Sequence, residues 1–326
     1  MQSPEEQFLP PDPDEMRPFF RKKTKKLINK LTSVQKAVSE LIHDGDYISI
    51  GGFGMVRIPS AVLFEIVRQK KKNLSFAGHT ATFDCIILAA GKAFNKCDIS
   101  YVIGLEAFGI PKQTRKYFET EVNCTEWSNA ALAWRYKAAA MGLSFIPIRT
   151  MLGTDTGRCS TAKEIICPFT EKKYLAVPAL YPDVAIIHVH EADIYGNSHI
   201  RGITVSDQDL ARASKRVIIT AERIIPAEFF RNNPENTTIP FYLVDALIEV
   251  PFGSYPGNMP YEYFLDADHI REWIEAEKDC EKYSAFINKN IFECNNFNDY
   301  LNINGGLERL RNLRDIEYLI ENKKES

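Results

Sequence analysis

Short apolar runs alternate with helix-like periodic stretches along most of the chain. Apolar residues at helical spacing begin at Val34, where Thr32 and Gln35, three residues apart, resemble a capping box. Asp44-Gly45-Asp46 ends that helix. Strands are predicted over residues 47–50, 74–77, 99–103, 145–148, 184–189, 217–220 and 244–250. Further helices are predicted over residues 59–69, a stretch ending at 91, 127–141, 207–214 and 267–281. The alternation predicts an α/β fold with a largely parallel sheet flanked by helices.

The first 30 residues have a different character. A proline- and aspartate-rich run at residues 10–14 disfavours a helix, and the basic cluster at residues 21–26 is strongly like-charged. We therefore predict a poorly ordered N-terminal extension over residues 1–30, with a solvated tail favoured over a membrane or nucleic-acid contact. No flexible linker or internal repeat divides the remainder, so residues 31–326 are predicted to form a single α/β domain.

Composition narrows the class of protein. The 326 residues are 45% hydrophobic and 25% charged, with a net charge of −3, which is typical of a globular chain and gives no basic surface for nucleic acid. No run approaches the roughly 20 apolar residues that cross a bilayer, so no membrane association is predicted. Seven cysteines at irregular spacing, without CxxC pairs, indicate reduced thiols and a cytoplasmic protein.

A glycine loop, Gly51-Gly52-Phe53-Gly54, lies between the first predicted strand and the helix that begins near Pro59. Glycines let backbone N–H groups approach a ligand, and a helix N-terminus adds partial positive charge. Ligands of open α/β sheets bind beyond the carboxyl ends of the strands. The loop therefore predicts a site for a phosphate, carboxylate or thioester oxygen, with a purely structural turn as the alternative.

Nucleotide-binding motifs fit this loop poorly. The G-x-G-x-x-G fingerprint lacks its third glycine, because Arg57 stands there, and the region about 20 residues further on is basic rather than acidic. The phosphate-loop pattern ending in Gly-Lys-Ser/Thr is missing from the chain. A nicotinamide cofactor is therefore disfavoured.

The segment from Asp44 to Pro59 resembles the signature segment of the A-type subunits of family I CoA-transferases. Acetoacetate-type members have a glycine two residues before the proline, whereas residues 57–60 and 64–69 of this chain, with Arg57, are similar to the glutaconate branch. Further segments also resemble that branch, namely residues 138–147, 183–188 and 299–310. The resemblance covers residues 31–313 and implies the CoA-transferase fold, with the chain as the A-type (alpha) subunit of a hetero-oligomer.

The resemblance also implies a reaction, the transfer of CoA from an acyl-CoA to a carboxylic acid of glutaconate-like type. In such enzymes a glutamate becomes a glutamyl-CoA thioester, which gives ping-pong kinetics. That glutamate lies in a Ser-Glu-Asn-Gly segment of the B-type (beta) subunit, whereas the nearest match here is Pro234-Glu235-Asn236-Thr237. We therefore expect no catalytic nucleophile in this chain and place it on a partner subunit. A CoA thioester is the expected substrate, with no permanently bound cofactor.

For the glycine loop, the resemblance implies a supporting role. The N–H groups of Gly52, Phe53 and Gly54 are candidates for an oxyanion hole that holds a thioester or carboxylate oxygen. Gly51 is a candidate substrate- or CoA-binding position beside them. Arg57 is a candidate partner for a substrate carboxylate, to which its planar fork is suited, with a surface or structural ion pair as the alternative.

Two further loops are candidates for the same pocket. His79 and Thr80 follow the second predicted strand and are candidate substrate- or CoA-binding residues, with an ordinary loop as the alternative. Ser128 and Asn129 open a predicted helix, where either side chain is a candidate cap, and both are also candidate binding residues. Relatives that act as ring-opening CoA-thioester hydrolases carry an acid where Asn129 stands, which disfavours a hydrolase unless Glu126 compensates.

A short histidine pattern suggests a metal site at first sight. His188 and His190 lie on one face of a predicted strand, and His199 is near in sequence. A metal site needs three or more convergent ligands and their supporting hydrogen bonds, and the resembled family uses no metal. No metal is therefore predicted, and hydrogen-bonded core or interface histidines are favoured.

Two other functions stay open at this point. Members of the resembled family have become CoA-thioester hydrolases or decarboxylases, and the partner's loop decides between these activities. A ligand-binding sensor of the same broader fold would normally be joined to a DNA-binding segment. No helix-turn-helix is evident in the short N-terminal extension, so the sensor is disfavoured.

Overall fold

An eight-stranded sheet lies at the centre of the structure, a computed structural model that describes residues 6–102 and 108–320. The strands in chain order are β1 Tyr47–Ile50, β2 Leu74–Gly78, β3 Phe94–Ile99, β4 Asn123–Glu126, β5 Phe145–Ile148, β6 Lys163–Ile166, β7 Lys173–Pro178, β8 Val184–Ala192, β9 Ser198–His199, β10 Arg216–Ile224 and β11 Ala246–Glu249. The helices are α1 Pro13–Lys22, α2 Val34–Leu41, α3 Ser60–Arg68, α4 Phe83–Ala90, α5 Lys112–Glu121, α6 Asn129–Ala140, α7 Asp155–Arg158, α8 Asp207–Ala213, α9 Glu228–Asn232, α10 Ala267–Ala276, α11 Cys280–Ile287, α12 Phe297–Ile303 and α13 Gly306–Glu317.

The strand order of this sheet is β11-β10-β8-β1-β2-β3-β4, with parallel neighbours throughout that order, and β9 pairs antiparallel with β8. From β1 the chain builds outward to β4 and later returns to place β8 on the other side of β1. The order therefore reverses between β1 and β8, the point at which ligands of open α/β sheets bind, beyond the carboxyl ends of the strands. A separate antiparallel sheet has the order β5-β7-β6. The predicted α/β fold with a largely parallel sheet is confirmed.

Strand β1 is buried on both of its faces. Ile48 and Ile50 lie in an apolar cluster with α3 and α4, whereas Tyr47 lies in a second cluster with Leu132 of α6 and Leu210 of α8. Successive side chains of a strand point to opposite faces, so β1 packs against the helices on both sides of the sheet. Each fully buried aliphatic side chain contributes about 1.5–3 kcal/mol. This burial fixes the position from which the glycine loop leaves the sheet.

The C-terminal helices cover the outer side of α3. Phe64 of α3 contacts Trp273 of α10, with ring centroids 6.1 Å apart, and Tyr300 of α12, at 4.4 Å. The side chains of residues 60–67 are all buried, as expected for a helix enclosed by packing on all sides. The helix that follows the glycine loop is therefore held between the sheet and a second helical layer.

Two predicted strands differ from the structure. The strand predicted over residues 99–103 overlaps β3 only at Ile99, where β3 ends. Residue 103 lies outside the described residues. The strand predicted over residues 145–148 is present as β5, but it belongs to the small antiparallel sheet. Strands β4, β6, β7 and β9 were not predicted, because their short sequences carry mixed polar and apolar residues without clear alternation.

Two helix termini also differ from their predictions. The helix predicted over residues 267–281 divides into α10 and α11, because the Asp279 side chain caps a new helix start. The N-cap of α2 is Ser33, whose Oγ atom accepts a hydrogen bond from the Lys36 N–H at 3.2 Å. The capping role predicted for Thr32 was therefore wrong by one residue.

The N-terminal extension is predicted to be poorly ordered, but residues 13–22 within it form helix α1. Helix α1 starts at Pro13, where proline is tolerated, and the Asp12 side chain caps it by accepting from the Asp14 N–H at 2.8 Å. Met16 is buried in a cluster with α6, and the Lys23 ammonium pairs with Asp245 at 2.7 Å. Tertiary contacts thus outweigh the local sequence preference. Residues 1–5 lie outside the described part, and the division into an extension and one domain stays a prediction.

Candidate functional site

The residues singled out in the sequence converge on one edge of the sheet. The glycine loop leaves the carboxyl end of β1, His79 and Thr80 leave that of β2, and Asn129 begins α6 after β4. Because β1 and β2 are parallel neighbours, the loops that follow them lie side by side. This edge lies next to the reversal of strand order between β1 and β8.

Close backbone packing explains two of the glycines. A Cβ atom on Gly51 would lie 2.4 Å from the Asp207 Oδ1 atom, and one on Gly52 would lie 2.3 Å from the Val56 carbonyl oxygen. Gly52 also has a φ of +80°, in the left-handed region that side chains disfavour. Any larger residue would displace Asp207 or open the turn, so the sequence requires glycine at both positions.

The three N–H groups assigned to an oxyanion hole already have acceptors within the chain. They bond as follows: Gly52 to Asp207 Oδ1 at 2.9 Å, Phe53 to the Val56 carbonyl at 3.0 Å, and Gly54 to the His79 carbonyl at 3.2 Å. These N–H groups are therefore bonded within the chain, and the oxyanion role of Gly52, Phe53 and Gly54 stays a prediction. These bonds build a tight turn and tie it to the loop after β2.

Arg57 is engaged in a buried ion pair. Its side chain is 1% exposed, and its Nη2 atom lies 2.7 Å from Asp207 Oδ2 and 2.9 Å from the Ile203 carbonyl oxygen. A weaker contact at 3.4 Å reaches the His188 carbonyl. Of the two roles proposed from sequence, the structural ion pair is the one observed, and a substrate carboxylate would have to displace Asp207.

His79 is a buried, neutral imidazole. Its Nε2 atom lies 2.8 Å from the Ser206 Oγ atom, and its ring packs edge-on against Tyr136 with centroids 5.8 Å apart. Burial lowers the pKa of His79, against the opposing effects of Asn129 and the Asp207 carboxylate. At neutral pH the imidazole therefore offers one donor and one acceptor and no charge.

Thr80 and Asn129 form a reciprocal pair beside this imidazole. The Asn129 Oδ1 atom accepts from the Thr80 N–H at 3.2 Å, and its Nδ2 atom donates to Thr80 Oγ1 at 3.0 Å. Ser100 adds a third bond, from Oγ to Asn129 Oδ1, at 3.0 Å. Ser128 instead caps α6 by accepting from the Ala131 N–H at 3.1 Å, which confirms its predicted cap. Thr80 and Asn129 thus form a neutral polar pair.

Sequence reasoning missed Ser206 and Asp207, which start α8. A Ser-Asp pair before a helical run is an ordinary signal for a helix N-terminus, so nothing in the sequence marks these residues as part of a site. In the structure the Ser206 side chain makes no capping bond and contacts His79, while the Asp207 carboxylate contacts Gly52 and Arg57. The site therefore has a third component, contributed about 150 residues along the chain from the first.

Asp84 is a fully buried acid behind the loop after β2, and it gives a pH-dependent prediction. Burial raises the pKa of Asp84 to about 7, from an ordinary value of 3.8. Between these values the folded chain binds more protons than the unfolded chain, so stability falls as pH rises from about 4 to about 7. Asp84→Asn should remove this loss and raise the free energy of unfolding at pH 8 by about 2–4 kcal/mol, with little change at pH 4. Urea unfolding of both chains across this range tests it, and parallel pH profiles would contradict it.

The histidine pattern is accounted for by hydrogen bonds. His188 contacts Thr220 Oγ1 and Glu222 Oε1, each at 2.8 Å, and His190 Nε2 lies 2.8 Å from the Pro260 carbonyl oxygen. Burial lowers the pKa of His190 to about 4. The interpretation of hydrogen-bonded core histidines is confirmed. Within residues 6–102 and 108–320, no group of three or more His, Cys, Asp or Glu side chains is arranged to hold a metal ion.

The cysteines and helices show two further properties. All seven cysteines carry free thiols, and Cys85, Cys97 and Cys294 are buried. Among the helices of the described part, none has the length and apolar character needed to span a bilayer.

Comparison with known proteins identifies relatives over most of the chain. Residues 31–250 match the coenzyme A transferase family. The A-type subunit of glutaconate CoA-transferase from Acidaminococcus fermentans is 31% identical, over 88% of this chain and 95% of that protein. The cholesterol ring-cleaving hydrolase IpdA subunit of Rhodococcus jostii is 27% identical, over 79% of this chain and 90% of that protein.

A solved structure gives the same result. The crystal structure of glutaconate coenzyme A-transferase from Acidaminococcus fermentans superposes with a TM-score of 0.83 and 30% identity, covering 87% of this chain and 95% of that chain. The resemblance to the A-type subunits of the glutaconate branch, stated from the sequence, is confirmed, and so is the CoA-transferase fold. The chain belongs to the coenzyme A transferase family.

Proposed function

We propose that this chain is the A-type (alpha) subunit of a CoA-transferase that moves CoA from an acyl-CoA to a short or dicarboxylic acid. The observation that carries the proposal is the state of the carboxylate at the site. Asp207 is 1% exposed and already bonded to Arg57 and Gly52, so it is unavailable as a nucleophile. The burial of Asp207 agrees with what the resemblance to the family implies, an attacking glutamate on a B-type (beta) partner and a glutamyl-CoA thioester formed on that partner.

The polar pair at the site has a role in this proposal. The Thr80 hydroxyl accepts from Asn129, which leaves its own hydrogen to donate to the thioester or carboxylate oxygen of the substrate. His79 lies in the same loop as Thr80. Its imidazole is neutral, so it adds no positive charge that would bind the anionic acceptor acid too tightly. Gly51 and Arg57 hold the loop rather than the substrate.

Exposed apolar side chains around the site support a partner subunit. Phe53 is 39% exposed, Tyr101 45% and Ile203 78%. Phe53 follows β1, Tyr101 follows β3, and Ile203 precedes α8. Large exposed apolar residues grouped around a polar site are typical of a protein interface. A second chain seated on this edge would cover them and bring its nucleophile to Thr80 and Asn129.

A component of a CoA-thioester hydrolase or decarboxylase is the second candidate, because the hydrolase IpdA subunit is 27% identical. The uncharged Asn129, held by Thr80 and Ser100, favours transfer, because ring-opening hydrolases of this family carry an acid at that position. Glu126 at the end of β4 is exposed and lies outside this hydrogen-bonded pair.

Intact mass measurement tests the proposed function. The chain is co-expressed with its neighbouring reading frame, the complex is incubated with a panel of acyl-CoAs without acceptor acid, and both polypeptides are weighed. We expect a CoA-sized adduct on the partner alone. An adduct on this chain would contradict the placement of the nucleophile. Free CoA or carbon dioxide without any adduct would favour the hydrolase or decarboxylase.

A further inference from the structure

The first two residues at the start of α8 contact both loops of the site. Ser206 Oγ lies 2.8 Å from His79 Nε2 in the loop after β2. Asp207 accepts from the Gly52 N–H at 2.9 Å and from Arg57 at 2.7 Å, both in the loop after β1. Ser206 is 6% exposed and Asp207 1%, so water does not compete for these bonds. We refer to Ser206 and Asp207 together as the clasp.

The clasp completes a closed set of hydrogen bonds among three loops. Arg57 returns from the loop after β1 to the Ile203 carbonyl, in the segment that leads into α8, at 2.9 Å. The Gly54 N–H joins the loop after β1 to the His79 carbonyl in the loop after β2, at 3.2 Å. Each loop is thus bonded to the other two, and a shift of one loop disturbs both neighbours.

Strained backbone occurs in each of these loops. Arg57 has a φ of +57°, Thr80 of +47° and Val205 of +45°. Left-handed backbone is disfavoured for residues with a side chain, and most of all for β-branched residues such as threonine and valine. Such conformations persist where the surroundings impose them, and they concentrate at functional sites. Here they occur in the three loops that the closed set of hydrogen bonds joins.

The use of Ser206 departs from ordinary helix chemistry. A serine in this position normally caps the helix through its hydroxyl, but the Ser206 side chain makes no capping bond and contacts His79 instead. Helix α8 therefore lacks a stabilising hydrogen bond from its Ser206 side chain, which bonds to His79 in the site instead.

We propose that Ser206 and Asp207 are positioning residues, which set the loops after β1 and β2 so that Thr80 and Asn129 meet the substrate in register. This inference rests on the proposed function. It gives a role in that function to two residues that lie outside the glycine loop. Positioning acts on the transition state, so its loss lowers kcat and kcat/KM together while KM changes little.

The test compares Ser206→Ala with Ser214→Ala in the complex with the partner subunit. Ser214, at the other end of α8, is also buried and donates to the Leu210 carbonyl at 2.8 Å, so both variants lose one buried serine hydrogen bond. Rates are expressed per site that forms the CoA adduct, which removes any unfolded fraction. We expect Ser206→Ala to lower kcat by about tenfold or more with KM within about twofold, and Ser214→Ala to leave both within about twofold. Equal kcat values for the two variants would overturn the inference.

Hydrogen–deuterium exchange separates this inference from the proposed function. Ser206→Ala should raise exchange in peptides covering residues 51–57 and 79–82, and Ser214→Ala should leave these peptides unchanged. If the wild-type complex forms no adduct and transfers no CoA, the proposed function fails, and exchange then decides whether the clasp holds the loops. Unchanged exchange in Ser206→Ala would overturn the clasp whatever the chemistry.

Discussion

Asp207→Asn should destabilise the folded chain by about 3–5 kcal/mol, because it leaves the Arg57 guanidinium buried without a counter-charge. The pair is almost fully buried, at 1% and 0% exposed for the two side chains, so water cannot solvate the orphaned cation. Asparagine has a single side-chain oxygen. It can keep the Gly52 N–H bond, but its amide nitrogen, a donor, then faces Arg57, so the Arg57 hydrogen bond is lost together with the charge. Urea unfolding followed by tryptophan fluorescence, at one fixed protein concentration, measures the loss.

Asp209→Asn is the matched control for this experiment. Asp209 lies on the same helix, two residues further on, and pairs with Lys137 at 3.4 Å with both side chains partly exposed. An ion pair of that kind contributes up to about 1 kcal/mol, because water solvates either partner once the other is removed. If both variants lost the same stability, the burial of the Arg57 pair would not be the cause.

Asp98→Asn should have an effect of similar size at a second buried ion pair, which lies on β3. Asp98 is 2% exposed and receives contacts from Arg135 at 2.7 Å, from the Trp127 indole N–H, and from the Tyr47 hydroxyl. Arg135 is itself buried, with its guanidinium 4.2 Å from the centre of the Trp127 ring. Removing the carboxylate charge strands this cation, and we expect a loss of about 3–5 kcal/mol in urea unfolding.

Two comparisons show whether charge burial causes that loss. Asp155→Asn breaks an aspartate–arginine pair that is exposed, with Arg158, and should cost less than about 1 kcal/mol. Adding Arg135→Met to Asp98→Asn removes the stranded cation and should recover part of the stability. A double variant less stable than Asp98→Asn would contradict this explanation.

Much of the fold could be predicted from local sequence patterns. The apolar run of β1, the glycine loop and the proline before α3 are contiguous, so periodicity and turn chemistry locate them without tertiary information. The convergence of His79, Thr80 and Asn129 also follows, because parallel strands bring their following loops to one edge. The resemblance to the coenzyme A transferase family added the partner subunit, which no periodicity reveals.

Contacts between residues far apart in the chain could not be predicted from the sequence. Asp207 lies 150 residues from Arg57, and nothing near either residue predicts the other. For the same reason the glycine-loop N–H groups looked free in the sequence, although Asp207, Val56 and His79 occupy them in the structure. Helix α1 was missed because its propensity is poor, and burial of Met16 is visible only in the folded chain.

The segment that follows α1 also protects the open side of the main sheet. Strand β11 is the last in the strand order, and Leu247 in it exchanges backbone hydrogen bonds with the segment around Leu31: the Thr32 N–H donates to the Leu247 carbonyl at 2.9 Å, and the Leu247 N–H to the Lys30 carbonyl at 3.0 Å. An uncovered edge strand offers unpaired N–H and C=O groups to any other extended chain, which is a route to self-association and amyloid-like stacking. The N-terminal segment thus occupies a place where a second molecule would otherwise add a strand.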